Sequence, residues 1–317
     1  MKSHGIFAYL CMVLLLSSCS LNKLVINKVS DTLSGAGSSL VFMGDNDPEL
    51  VGDAMPFAIK MYEILLEQNP THQGLLLTTG SLFIMYANAF VQGPTEMLDP
   101  VYFYEERIMG LARAKLLYLR GYTILTSALE KKFPGFSDAN VSDGTLNTLL
   151  QQCKKEDVPL LYWTVAGGLA AYSLDLFDFE LGSKIMEWGA MFARAYELDP
   201  HFNNGAIDDF YILYYASLPD TMGGDKDKAE YHFRLALENS RGLSVGPYVS
   251  YAQAVCIPAQ DYNAFRENLE KALAIDPNEE PSIRLLNIIL QRRARHLLDT
   301  ADNYFPITLI NDWFDYE

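Results

Sequence analysis

The stretch that decides the fold is residues 192–200, which read FARAYELDP. An aromatic residue begins it, helix-forming residues follow, and an acidic residue, an Asx residue and a proline end it, as at the end of a helix. Stretches of similar shape read YEILLEQNP, FRLALENSR and LEKALAIDP, at residues 62–70, 233–241 and 269–277. One helical unit that recurs along a chain predicts stacked helical repeats.

These stretches resemble the second helix and closing proline of tetratricopeptide repeats. In such repeats a small residue and an aromatic residue four positions later let two helices pack closely. Two departures stand out, because Trp188 occupies an expected small position and Arg241 replaces a proline. We therefore expect a helical-pair solenoid of degenerate tetratricopeptide-like repeats, with these matching positions: Ala58/Tyr62/Pro70, Ala229/Phe233/Ala236 and Phe265/Leu269/Ala272/Pro277.

Helical spacing dominates the rest of the chain, and alternating runs that would mark strands are scarce, so the sequence predicts an all-α protein. Two stretches without charge, Gln73–Thr95 and Val158–Leu174, need an explanation. The first is long enough to span a membrane, but it has several polar residues and no basic flanks. We expect both to be buried helices. Pro56 is expected in the first turn of a helix.

Composition excludes several classes of protein. There are 24 Lys and Arg against 40 Asp and Glu, a formal net charge of -16, which repels phosphate backbones and argues against nucleic-acid binding. Hydrophobic residues make up 50% of the chain, which is typical of a globular protein. Four cysteines are too few for a disulfide scaffold.

The N-terminus resembles a lipoprotein export signal. Lys2 precedes an apolar run at Ile6–Leu16, and the sequence LSSC ends at Cys19. This sequence resembles the bacterial lipobox, which implies that Cys19 is diacylated and becomes the mature N-terminus. We expect a signal peptide over residues 1–18, then a lipid anchor, short helix and tether over 19–47, and an all-α repeat domain over 48–317. The expected location is periplasmic and membrane-anchored through the lipid, with the choice of inner or outer membrane left open.

Cys153 and Cys256 are the thiols that remain after processing. An oxidising compartment makes a bridge between them possible. Their surroundings differ, since Cys153 ends a polar stretch and Cys256 lies in an apolar one. Two separate thiols are therefore the expectation, and the pairing stays open.

Catalytic and metal-binding patterns are missing from the sequence. His72, His201, His232 and His296 are isolated, and no H-E-x-x-H or paired C-x-x-C occurs, so we expect no metal and no cofactor. His72 and His201 each follow a closing proline, which favours exposed loops, whereas His232 is expected to be structural. The acidic pairs, for example Asp208-Asp209, are expected on solvated faces. We expect a protein that is not an enzyme.

Several motifs occur in a family-specific order after the lipobox: RIMGLARAKLLYLRGYTILTSALEKKFPGF at 107–136, LYWTVAGG at 161–168, PDTMGGDKDKAEYHF at 219–233, YVSYAQAV at 248–255 and QDYNAFRENLEKAL at 260–273. In this order they resemble the TRAP-transporter-associated T-component family of periplasmic tetratricopeptide lipoproteins, over about residues 50–305. The resemblance implies a partner, the solute-binding protein of a TRAP transporter, and a homotrimer.

Aromatic residues supply the candidate binding site. Tyr and Trp are frequent at binding surfaces because they bury a large area and keep a polar tip. They cluster at Tyr162 and Trp163 and again at Tyr211, Tyr214 and Tyr215, on helices that precede closing helices and so belong to the concave side of a solenoid. Two functions remain open: a scaffold that docks the solute-binding protein and assists ligand uptake, or a module whose channel or cavity passes a small hydrophobic molecule to that partner.

Overall fold

The computed structural model describes residues 25–306, except the side chains of residues 36–39 and 222. Every regular element in that range is a helix, which confirms the all-α prediction. The α-helices are residues 25–33 (α1), Ala36–Met43 (α2), Pro48–Gln68 (α3), Gln73–Tyr86 (α4), Gly93–Glu96 (α5), Tyr104–Lys132 (α6), Thr145–Leu150 (α7), Val158–Ser173 (α8), Phe179–Gly182 (α9), Ile185–Leu198 (α10), Ala206–Ser217 (α11), Lys226–Asn239 (α12), Gly246–Tyr251 (α13), Ile257–Ala259 (α14), Tyr262–Ala274 (α15) and Arg284–Asp299 (α16).

The four closing stretches end helices as the sequence predicts. Helix α3 ends at Gln68 just before Pro70, and α10 ends at Leu198 just before Pro200. Helices α12 and α15 end within the other two stretches, at Asn239 and Ala274. The helix ends are confirmed, and the arrangement of the repeats as a solenoid stays a prediction.

Trp188 occupies the position of a small residue because another helix supplies the missing space. Its side chain is 1% exposed. It lies on α10 against Gly168 of α8, where an added Cβ would come within 2.4 Å of the Trp188 ring. The glycine on the neighbouring helix therefore provides the space that a small residue at position 188 would provide in an ordinary repeat.

The uncharged stretches form α4 and α8, two helices of the core. The hydroxyls of Thr79 and Thr164 donate to the carbonyls of Leu75 and Leu160 one turn earlier, so their polar groups are satisfied within each helix. The continuous helical run Gln73–Glu96 is long and apolar enough to cross a membrane, yet 56% of its most apolar window is buried inside the protein. Burial by neighbouring helices explains why these two stretches contain no charged residues, as expected.

The expectation for Pro56 is wrong. Helix α3 begins at Pro48, and Pro56 lies inside it. An internal proline removes one backbone hydrogen bond and crowds the carbonyl four residues earlier, here that of Gly52. Pro56 faces solvent, while Val51, Met55 and Ile59 are buried on the opposite side. Burial of that apolar face keeps the helix continuous through the proline.

Two π-helical segments precede prolines at corresponding places. Ala87–Gln92 leads into Pro94, and Ala252–Cys256 leads into Pro258. A π-turn shifts the backbone hydrogen-bonding pattern, so the missing N–H of a proline disturbs the ladder less. The chain therefore passes both prolines without leaving the helical path.

Packing follows chain order. Helix α3 packs on α4, α4 on α6, α6 on α8, and α8 on α10, while α11 packs on α12 and α15 on α16. The largest apolar core lies among α4, α6, α8, α10 and α11. A second core joins α13, α15 and α16. A third lies between α3 and α4 and includes Leu285 of α16.

Helix α16 packs against the start of α3 and the turn before it. Leu285 of α16 shares a core with Val51 of α3. Arg292 forms a two-pronged ion pair with Glu49, at 2.5 and 3.2 Å, and Arg284 donates to the carbonyl of Gly44 at 2.8 Å. The last long helix is thereby fixed to the first.

Residues before α3 also contact the body. In α1 the carbonyl of Leu33 accepts a hydrogen bond of 2.7 Å from the Tyr62 hydroxyl, and Asp31 lies 3.0 Å from His72 Nε2. Helix α2 occupies much of the stretch that the sequence suggested as a tether. The loose part between these helices is correspondingly short.

Candidate functional site

The five predicted aromatic residues belong to one connected group of rings. On α8, the centroids of Tyr162 and Trp163 lie 5.3 Å apart. On α11, Tyr215 lies 5.4 Å from Tyr211 and 5.3 Å from Tyr214. We call the group the aromatic cluster; it consists of Tyr162, Trp163, Phe192, Phe210, Tyr211, Tyr214 and Tyr215.

Phe192 of α10 links the two halves of the aromatic cluster. Its ring lies 5.7 Å from Tyr162 and 5.9 Å from Tyr211, and it stacks on Phe210 at 4.2 Å. Phe192 is the aromatic residue that begins the repeat stretch 192–200, and it is 1% exposed. The repeat core therefore holds the candidate binding residues in fixed relative positions.

Burial differs within the aromatic cluster. Tyr211 is 8% exposed and counts as core, whereas Tyr162, Trp163, Tyr214 and Tyr215 are half-buried. Burial raises the pKa of Tyr162 and Tyr211, and the Asp209 charge adds to the effect on Tyr162. These hydroxyls therefore stay protonated at neutral pH.

Asp208 lies in the protein interior beneath the aromatic cluster, so the expectation of a solvated acidic pair is wrong here. Its side chain is fully buried. The carboxylate lies 2.8 Å from His232 Nδ1 and accepts a 2.8 Å hydrogen bond from the Asn239 amide. His232 in turn stacks on Tyr215, with centroids 5.5 Å apart. The expectation that His232 is a satisfied structural histidine is confirmed.

Asp209 lies between α11 and α13, where one of its two carboxylate oxygens is buried. The residue as a whole is half-buried, but its Oδ1 is inaccessible and has no hydrogen-bond partner within residues 25–306. Its Oδ2 approaches Gly246 so closely that an added Cβ there would lie 2.4 Å away. Desolvation raises the pKa of Asp209 to about 6, against the opposing hydrogen bond from Ser250. This is a carboxylate held at an energetic cost.

Both cysteines are free and buried. Cys153 belongs to the largest core and Cys256 to the core of α13, α15 and α16. Burial raises the pKa of the Cys153 thiol to about 11 and that of the Cys256 thiol to about 12. Thiols of such high pKa are poor nucleophiles. The structure thus agrees with the expectation of two separate thiols.

His72 is not a free loop residue, contrary to expectation. It caps the N-terminus of α4, where its Nδ1 accepts a 3.1 Å hydrogen bond from the backbone of Leu75. His201 is exposed, as expected, and its Nδ1 lies 2.6 Å from the Asn239 side chain. The sequence signal for this role is the position of His72, two residues after the closing Pro70, where the first residue before a new helix is expected.

Comparison with known proteins identifies the family. The model of the TRAP transporter T-component family matches residues 44–305. This chain belongs to that family. An uncharacterized protein of Treponema pallidum (strain Nichols) is 36% identical over 306 residues, covering 92% of this chain and 94% of the relative. Family membership associates this T-component with a TRAP transporter, and the family resemblance found in the sequence is confirmed.

Other features of the T-component carry less chemistry. In the part of the chain that the structure describes, His, Cys, Asp and Glu side chains form no group of three or more that could hold a metal. An open depression of about 360 Å³ lies along α6, lined by Tyr122, Thr123, Thr126 and Ser127 among others. Cys19, the predicted lipidation site, lies outside the described residues.

Proposed function

We propose that this T-component is a lipid-anchored periplasmic scaffold that docks the solute-binding protein of a TRAP transporter and assists ligand uptake. Family membership over residues 44–305 supports the association with the transporter. The lipobox-like sequence ending at Cys19 supports the anchor and, through it, the location. A scaffold is also consistent with a family that is defined by its transporter and not by a reaction.

The aromatic cluster is the observation that carries the proposal. Four of its members on α8 and α11 are half-buried and pack against the largest core, which holds them in place. Rings that are already ordered lose little entropy on binding, and Tyr and Trp of this kind are the residues that dominate docking energies. We assign the docking surface to Tyr162, Trp163, Tyr214 and Tyr215, with Tyr211 supporting them from the core.

A tetratricopeptide-like solenoid is the arrangement that would present this surface. Consecutive helices pack on one another along the chain, as in helical-pair repeats. Helix α8 precedes the closing helix α10, and α11 precedes the closing helix α12. In such a solenoid the first helices of repeat pairs would line the concave side, and both aromatic helices would then lie on the docking side.

Self-association, which a homotrimer requires, is supported by an exposed apolar stripe on α3. Leu50, Ala54, Phe57, Met61 and Ile64 follow alternating steps of four and three residues, the spacing of a helix–helix seam, and all five are exposed. Lys60 and Glu63 beside the stripe carry opposite charges and pair at 2.6 Å. A second copy of the chain offers the same apolar stripe and the same mixed charges, so the stripe suits self-association.

Co-purification tests the scaffold role. The full chain, solubilised in detergent, should retain the solute-binding protein of the neighbouring TRAP transporter on an affinity column. Replacing Tyr215 by Ala should reduce retention, while the exposed Tyr231 on α12 serves as the matched control, because Tyr231→Ala removes the same side chain outside the aromatic cluster. Equal retention by both variants would contradict the assignment of the docking surface.

A ligand-binding module with a channel or cavity is the second candidate; the depression of about 360 Å³ along α6 is open to solvent, so such a module would need a more enclosed site. A volume of this size can hold a small molecule. Mass spectrometry of material extracted from the purified protein tests it, since a bound hydrophobic molecule should copurify in a fixed ratio to the chain. Finding no such molecule, together with retained partner binding, would favour the scaffold alone.

A further inference from the structure

Ten large apolar side chains stand exposed near the first half of α6. Tyr102 and Phe177 are each 84% exposed, and Phe179 is 85% exposed. Soluble proteins seldom leave so many large apolar groups in water without a binding role. We call this surface the apolar ridge; its members are Val101, Tyr102, Phe103, Tyr104, Ile108, Met109, Leu116, Leu176, Phe177 and Phe179.

Helical spacing and one lysine link the two parts of the apolar ridge. Tyr104, Ile108 and Lys115 lie on one stripe of α6, since they are four and seven residues apart. Lys115 Nζ donates to Asp175 and Asp178, at 2.8 Å each. The segment that contains Leu176 and Phe177 is therefore held against the same stripe as Tyr104 and Ile108.

Hydrogen bonds hold both ends of the apolar ridge in defined conformations. Asp99 Oδ1 accepts from the backbone of Val101 at 2.8 Å and of Tyr102 at 2.9 Å, which fixes the turn before α6. At the other end, Asp178 Oδ1 accepts from Leu181 and caps α9, the helix that begins with Phe179. Exposed aromatic residues on fixed turns lose little freedom when a partner covers them.

The charges around the apolar ridge are acidic. Of the basic side chains nearby, Lys115 pairs with Asp175 and Asp178, Arg107 donates to the carbonyls of Thr95, Glu96 and Leu98, and Arg113 lies 5.7 Å from the centroid of the Tyr86 ring. The other carboxylates on the rim are exposed: Asp99, Glu105, Glu106 and Glu180. An acidic rim repels an anionic bilayer, and it repels a second copy of itself.

We propose that the apolar ridge docks a partner protein whose contact surface has an apolar centre and a rim of Lys and Arg. The inference rests on the proposed function, because it takes the solute-binding protein as that partner. The apolar ridge then supplies a second contact beside the aromatic cluster. Acidic rim residues steer the encounter, and the exposed aromatic residues are buried in the complex.

Surface plasmon resonance of the detergent-solubilised full chain with the solute-binding protein tests the inference. The double substitution Phe177→Ser/Phe179→Ser should weaken binding at least about tenfold, because hot-spot aromatic residues carry that much each. Both side chains are over 80% exposed, so the fold should keep its melting temperature. Tyr231→Ser, at a residue 52% exposed on α12, is the control and should leave affinity unchanged.

Charge provides a second readout. Glu105→Gln/Glu106→Gln should slow association and flatten its dependence on salt, with little change in dissociation.

Unchanged affinity of the Phe177→Ser/Phe179→Ser variant would overturn the docking role of the apolar ridge but not the scaffold role of the protein. No binding by the unaltered chain overturns both. A change in oligomeric state caused by the same double substitution would assign the apolar ridge to self-association. If the unaltered chain binds anionic vesicles and the double variant does not, the apolar ridge is a membrane contact. Either result overturns the proposal.

Discussion

Replacing Asp209 by Asn should stabilise the protein at neutral pH. The folded state holds the pKa of Asp209 at about 6, above an ordinary value of 3.8, so folding disfavours the charged form. At 1.36 kcal/mol for each pKa unit, the penalty on the ionised carboxylate is about 3 kcal/mol. The penalty is absent below pH 3.8, grows as the pH rises towards 6, and is complete above it. An asparagine keeps the shape and can accept from Ser250 without the charge, but its amide N–H groups take the unpaired position of Oδ1, so the gain is smaller than the full penalty.

Urea unfolding of the full chain in detergent, at pH 8 and at pH 4, measures this effect. Asp209→Asn should raise the free energy of unfolding by up to about 3 kcal/mol at pH 8 and by much less at pH 4. Asp208→Asn is the matched control, because Asp208 has partners in His232 and Asn239 and its replacement should destabilise the fold at pH 8. A neutral or destabilising Asp209→Asn at pH 8 would refute the reasoning.

Three further outcomes are expected. Cys19→Ala should leave unprocessed or soluble protein in a detergent-partitioning assay; a processed variant that still partitions with detergent speaks against the lipobox. Analytical ultracentrifugation should show a species of three times the chain mass, and Phe57→Asp in the α3 stripe should dissociate it; a monomer before substitution would exclude the trimer. Trp163→Ala or Tyr215→Ala should weaken partner binding by about 2 kcal/mol and lower stability less than Phe192→Ala, which should cost about 3–5 kcal/mol of stability. If Trp163→Ala or Tyr215→Ala cost as much stability as Phe192→Ala and left affinity unchanged, these residues would belong to the core and not to the docking surface.

Helix ends were the most predictable part of the fold. A proline after an Asx residue stops a helix by local chemistry, so Pro70 and Pro200 marked the ends of α3 and α10 without tertiary information. The match between Trp188 and Gly168 was not predictable in the same way. It joins residues on different helices, and only their packing shows that the glycine makes room for the indole.

The candidate site likewise has one part that the sequence predicts and another part that depends on how the helices pack. Residue type and helical spacing selected the five aromatic residues, but their connection through Phe192 depends on how α8, α10 and α11 pack. Asp208 and Asp209 were misjudged because adjacent acidic residues are usually solvated, while α11 is covered by both α12 and α13. The exposed residues of the apolar ridge were missed for the opposite reason, since apolar composition predicts burial.

Calorimetric titration of the solubilised full chain with the purified solute-binding protein tests the central claim most directly. Docking predicts a saturable heat with one solute-binding protein for each chain, and a negative heat-capacity change because apolar and aromatic surface is buried. Absence of any binding heat across several temperatures, with both proteins folded, would contradict the account.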